Sequence, residues 1–161
     1  MKIGRYRILD RFVIPNLDNP DQLYLTRWRI IETPWFGFFL HRFDGPDSRP
    51  VLHDHPWSFV SIILRGSYIE HRLTLTDRSV RVRRIRFINV MRRDDAHFID
   101  HIERTPTWSL LLVGKRRRTW GYLRPISGSS RGGWSWHPFD RDIIAEAASA
   151  AGMTPRPVGQ R

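Results

Sequence analysis

The stretch His53 to Gly66, HDHPWSFVSIILRG, holds the residues of this chain best suited to chemistry. Side chains of an extended segment alternate faces, so two histidines separated by one residue put both imidazoles on one side, about 7 Å apart along the backbone. One metal ion can reach both. Phe59 to Leu64 is apolar and β-rich, and Arg65-Gly66 closes it in a tight turn. The pattern predicts a histidine pair at the mouth of a buried strand. The chain has no cysteine, so disulfides and zinc ribbons are excluded and a metal must be held by histidine, carboxylate or water. Neutral imidazole suits iron, nickel, copper and zinc alike.

The elements that must position this pair read as strands. Residues 3–14 form an opening strand or two, ended by Pro15, Asn16, Asn19 and Pro20. Residues 21–32 and 36–43 follow as strands around Thr33-Pro34, and residues 44–50 turn. After the histidine strand, residues 67–76 are expected to pair with it across Gly66 as a hairpin. Residues 80–90 form one strand, a polar loop leads to His97, and strands cover 108–113 and 119–123. Helical periodicity is confined to a short element at 140–151, before a loose tail rich in Gly and Pro. Short strands at spacings of roughly 8 to 12 residues argue for an antiparallel barrel or double-sheet roll. One β-barrel domain over 1–139, with helix and tail over 140–161, fits the 161-residue length. Ser127 to Gly133 is a loop without the strand, Lys and helix context of a phosphate cradle.

The formal charge of +11, from 27 basic and 16 acidic residues, attracts anions and favours nonspecific nucleic-acid contact at low salt. Its densest runs are Arg81 to Arg86 and Lys115 to Arg118. In the first, Arg81, Arg83 and Arg84 or Arg86 alternate with Val82, Ile85 and Phe87, which suits an exposed face with an apolar reverse, the solvated surface of an arginine-rich chain. The N-terminus lacks a continuous apolar stretch and the longest apolar run is far below a membrane span, so a cytoplasmic protein with no membrane contact is expected.

With the strands, His53-x-His55 and Gly66 in place, the segment resembles the first motif of the cupin superfamily. His53 and His55 match its two metal histidines, and Ile63-Leu64-Arg65-Gly66 matches the apolar pair and glycine that end its strand. Phe59 stands where most cupins have a glutamate ligand. His97 falls where the second cupin motif has its histidine, although Arg92 and Asp94 replace the usual proline and glycine and His101 replaces a polar residue. The resemblance implies an all-β, single-domain cupin double-stranded β-helix, with His53, His55 and His97 around a divalent ion and water in the open positions. Three histidines without a glutamate look like the thiol dioxygenases, which hold ferrous iron this way. Ser109 matches a serine of that branch's relay, but Leu111 and Val113 stand where its histidine and tyrosine would be. Residues 23–139 look closest to a group of small cupin-like proteins of bacteria and phages.

Three neutral ligands leave a divalent ion its full charge, to bind an anionic substrate or lower the pKa of bound water. Iron(II) is favoured by the resemblance, with zinc, nickel and copper open. Asp54, Glu70 and Asp95 are candidate acceptors for orienting the imidazoles, Glu70 otherwise being simply exposed. Glu70 and Tyr122 are candidates to move a proton. Arg42 could clamp a substrate carboxylate or phosphate, and Tyr68 and Trp120 could line the pocket. Trp134 and Trp136 fold over an opening or cover a sheet edge. His41, His71, His101 and His137 have no spacing that links them to the pair and read as surface or edge residues. Three readings follow: a mononuclear metal oxygenase acting on a small anionic organic substrate, a metal-assisted isomerase or hydrolase, and a nonenzymatic module whose basic face meets nucleic acid. Cupin barrels commonly pair through exposed sheets, so a homodimer belongs to the expectation.

Overall fold

The computed structural model describes residues 2–3, 6–16, 22–48, 50–74, 79–126 and 133–139, and every regular element in them is a β-strand. These are β1 (Lys2–Ile3), β2 (Tyr6–Pro15), β3 (Leu23–Glu32), β4 (Gly37–Phe43), β5 (Phe59–Arg65), β6 (Tyr68–Leu73), β7 (Val80–Ile85), β8 (Ile88–Met91), β9 (Ala96–Ile102), β10 (Thr107–Val113), β11 (Gly121–Pro125) and β12 (Trp134–Pro138). The helix expected at 140–151, the tail and all but Gly133 of the Ser/Gly loop lie outside the described residues. A seven-stranded sheet of order β1-β2-β3-β4-β10-β5-β8 faces a three-stranded sheet, β7-β6-β9, and β11 pairs with β12. All the pairings are antiparallel, which gives the all-β roll expected of the sequence.

Alternation decides what faces inward. Phe39, His41 and Phe43 of β4, Phe59, Ser61 and Ile63 of β5, and Thr107, Ser109, Leu111 and Val113 of β10 are buried. The alternate residues point to the outer face, where Val60, Ile62, Leu64 and Leu112 are exposed and Leu40, Arg42, Trp108 and Leu110 half-buried. The inward set packs in three clusters. One gathers Leu25, Phe43, Ile63, Tyr68, Ile85, Ile99 and Ile102, a second Phe39, Phe59, Met91, Leu111 and Val113, and a third Leu52, Leu73, Ala96 and Phe98.

The hairpin expected across Gly66 does not form. β5 lies between β10 and β8, whereas β6 lies between β7 and β9, so the chain changes sheets at this glycine. Gly66 has φ +84°, and a Cβ there would press on Thr107 Oγ1 and lie 3.0 Å from the Arg104 carbonyl. A left-handed residue without a side chain lets the backbone leave one sheet and enter the other. The single strand expected over 80–90 is likewise two, because β7 belongs to the small sheet and β8 to the large one. Nor does the arginine run have an apolar reverse. Val82 and Phe87 are exposed and only Ile85 reaches the core, because β7 is the edge of its sheet among the described residues. A strand missing from the expectation, β12, covers Trp134 and Trp136.

Candidate metal centre

His53 and His97 are brought together by the backbone. The His53 amide donates to the His97 carbonyl and the His97 amide donates to the His53 carbonyl, both at 2.9 Å, so they form a directly opposed antiparallel pair. Opposed residues place their side chains on one face. The two rings accordingly lie 5.0 Å apart, and His55, two residues on, lies 5.4 Å from His53 and 5.1 Å from His97. One ring nitrogen from each of the three histidines falls within 4.8 Å of the others. The pair precedes its strand: His53 forms isolated bridges to His97 and Tyr122, and β5 starts only at Phe59.

The donor set fits a metal. His97 Nδ1 lies 2.9 Å from Glu70 Oε2, a contact that favours the proton on Nδ1 and turns the Nε2 lone pair towards the other two histidines. That Nε2 lies 2.9 Å from His55 Nε2. Burial pushes His53 and His55 below the ordinary imidazole range, with the other histidines adding to the effect, so both are neutral and ready to donate. Phe59, at the usual glutamate position, sets its ring edge-on to His55 at 5.0 Å, so an apolar wall occupies that side.

Glu70 is fully buried, not exposed, because it faces inward from β6. Arg72 pairs with it at 2.6 Å, and Asn89 Nδ2 donates to it at 3.0 Å and to the Tyr68 hydroxyl at 2.9 Å. Arg72 also donates to Asn89 Oδ1 and, at 2.7 Å, to the Val90 carbonyl, which ties the small sheet to the large one. Burial raises the Glu70 carboxyl, but the His97 contact, Arg72 and Asn89 outweigh it and hold the group below the usual range. Asn89 carried no signal in the sequence, since its partners are distant in the chain.

Other expectations are redistributed. Asp54, between the two histidines, points the opposite way and orients no imidazole. Its carboxylate accepts from the Gly121 amide at 2.9 Å and Trp136 Nε1 at 2.6 Å, and it lies 2.8 Å from Arg118, fastening β11 and β12 to the segment. Asp95 accepts from the Arg92 amide in its own turn. Arg42 is corrected as a substrate clamp: it alternates with buried His41 and Phe43, faces outward and pairs with Asp44 at 2.8 Å. Tyr68 is corrected from a pocket wall to a core residue, packed with Phe43 and bonded to Asn89. Trp120 does reach the site, its ring 5.3 Å from His53, and Tyr122 packs beside it and against Phe139.

His41 is not a surface residue. It is buried on β4, where Arg27 Nε donates to its Nε2 at 2.8 Å. His71 stacks on Phe98, His101 is exposed on β9, and His137 contacts Ser135. Among the described residues no helix is long and apolar enough to cross a membrane.

No protein-family model and no curated protein matches the sequence. Solved structures do match the fold. Oxalate decarboxylase from Bacillus subtilis aligns over 96% of this chain and 38% of its own, at TM-score 0.51 and 11% identity. The chain therefore spans well under half of that protein's length. An RmlC-like cupin from Shewanella frigidimarina NCIMB 400 covers 58% of this chain and 78% of its own, at TM-score 0.42 and 17% identity. The iron(II) form of HppE covers 65% and 56%, at TM-score 0.47 and 10% identity.

Proposed function

We propose that this chain, which has the cupin jelly-roll fold, is a mononuclear metal oxygenase acting on a small anionic organic substrate. The observation that carries the reading is the convergence of three imidazoles, with no carboxylate among them and the third ring fixed by Glu70. His53, His55 and His97 would hold the ion. When bound, such an ion supplies an undiminished double positive charge and, as iron(II), electrons for dioxygen.

The surrounding residues prepare that chemistry. Glu70 accepts the His97 Nδ1 proton and keeps the ring from rotating. Phe59 and Trp120 pack on the histidines and exclude water from two sides. Glu70 itself is closed in by Arg72, Asn89 and His97, so it is a positioning residue and does not reach a substrate. That enclosure removes Glu70 as the proton carrier of the isomerase or hydrolase reading and leaves Tyr122 in that role.

The test starts from protein purified without a histidine tag. Elemental analysis is expected to give one transition-metal ion per chain, and His55→Ala to lose it. Reconstitution with iron(II) is expected to produce oxygen consumption with a member of a panel of small carboxylates and phosphates. Metal retained in the His55→Ala variant would overturn the assignment of the centre. Turnover of a panel member without oxygen uptake would replace the oxygenase by a hydrolytic or isomerising enzyme.

A further inference from the structure

The arginine run of β7 divides by strand parity, and its two halves meet different neighbours. Glu70 of β6 faces inward and is paired in register with Arg83, as Arg72 is with Arg81. Directly opposed residues share a face, so Arg81 and Arg83 turn towards the side on which Glu70 and Arg72 are buried. Arg84 turns the other way, opposite Ile69, and pairs with Glu103 at 2.8 Å. Arg72, Arg81 and Arg83 thus share the inner side of one two-stranded ribbon.

A cavity of about 410 Å³ lies against them, lined by Arg72, Thr74, Arg81, Val82 and Arg83. None of these five is acidic. Glu70, opposite Arg83, is already engaged by Arg72, Asn89 and His97. Arg72 is only 3% exposed. Its Nη atoms reach Glu70, Asn89 and the Val90 carbonyl, but its Nε is buried and meets no hydrogen-bond partner among the described residues. A buried donor without an acceptor is costly, and like charges directly opposed across a ladder, as Arg72 and Arg81 are, repel. An anion in the cavity supplies the counter-charge that its lining residues lack.

We propose that this cavity is an anion site for a phosphate group, held by Arg81 and Arg83 of β7 with Arg72 at its inner wall. A phosphate suits three guanidiniums better than a carboxylate does, because it carries a charge of about −1.5 to −2 at pH 7 and three strong acceptor oxygens when esterified. Thr74 adds a hydroxyl that can donate. The volume lies at the low end of the ~300–1,000 Å³ of small-ligand pockets. It suits the free ion or the phosphate of a small ester. The site is separate from the metal centre, since no histidine lines it, although Arg72 touches the Glu70 that orients His97.

The experiment titrates the 15N-labelled full chain with sodium phosphate and with glycerol phosphate, in sodium chloride at constant ionic strength, and follows the amide resonances of β6 and β7. Both ligands are expected to shift them saturably, and whichever binds more tightly identifies the source as the free ion or an ester. Arg83→Gln should weaken binding at least tenfold. Arg84→Gln, which removes the same charge from the opposite face of the strand, should leave it unchanged, and so should His55→Ala. Equal losses in Arg83→Gln and Arg84→Gln would reduce the effect to net charge and overturn the proposal. Loss of phosphate binding in His55→Ala would place the anion on the histidine cluster and overturn it as well. So would the absence of a saturable response, or a short oligothymidylate that binds in an Arg83-dependent manner where neither phosphate does, the mark of a nucleic-acid face.

Discussion

Glu70 Oε2 and His97 Nδ1 face each other at 2.9 Å from neighbouring strands of the small sheet, and through Arg72 and Asn89 the same carboxylate is tied to the large one. The ring that completes the histidine cluster is thus oriented by a group that itself has no freedom to move. Glu70→Gln keeps the shape but removes the charge that favours the proton on Nδ1. Metal affinity should fall roughly 10- to 100-fold, measured by competition with a chromophoric chelator. An unchanged affinity would mean that the contact does not orient the ligand.

Acid should weaken the metal-free protein early. His41, His53 and His55 are all held below their ordinary value, chiefly by burial. Between those lowered values and the unfolded value of about 6.5, the unfolded chain binds more protons than the folded one, so stability rises with pH in that window and drains away as pH falls through it. The urea midpoint should be level above about pH 7 and decline from there towards pH 5. A flat profile across that interval would contradict neutral, buried imidazoles.

Much of this was legible beforehand. The His-x-His spacing needed only the alternation of an extended chain, and the alternating apolar residues of β4, β5 and β10 set the inward faces. Partnership between strands was not legible: nothing near Gly66 says that β6 leaves the sheet of β5, because its reason is the Thr107 side chain and the Arg104 carbonyl, far along the chain. The same holds for Arg27 and His41. Their contact depends on the register of β3 against β4, which shifts between Arg29 and Ile31. Charge and proximity to the histidines in sequence favoured Arg42, and strand parity then turned it outward.

Gly66→Ala tests the sheet crossing. A left-handed backbone costs a side-chain-bearing residue about 1–2 kcal/mol, and contact of the new methyl with Thr107 adds to it. Denaturant unfolding should show a loss of at least that size. A smaller loss would mean that the corner tolerates a side chain.

Asp54→Ala should loosen β11 and β12 while sparing the histidines. It leaves the Gly121 amide and the Trp136 indole N–H without their acceptor, at about 1–3 kcal/mol each, and takes one carboxylate from Arg118, which keeps Asp94. The Trp136 indole N–H signal should move upfield and exchange faster with solvent, with metal stoichiometry intact. Loss of the metal alongside would show that the Asp54 anchor also holds the ligands in place.

The reciprocal backbone bonds between His53 and His97 set an order of events. Until that seam has zipped, the third imidazole has no reason to turn towards the other two, so a nascent or half-folded chain offers an ion only the two-histidine bite of His53 and His55. Ion capture would therefore certify a finished roll, and a captured ion would act as a rivet across the join that made room for it.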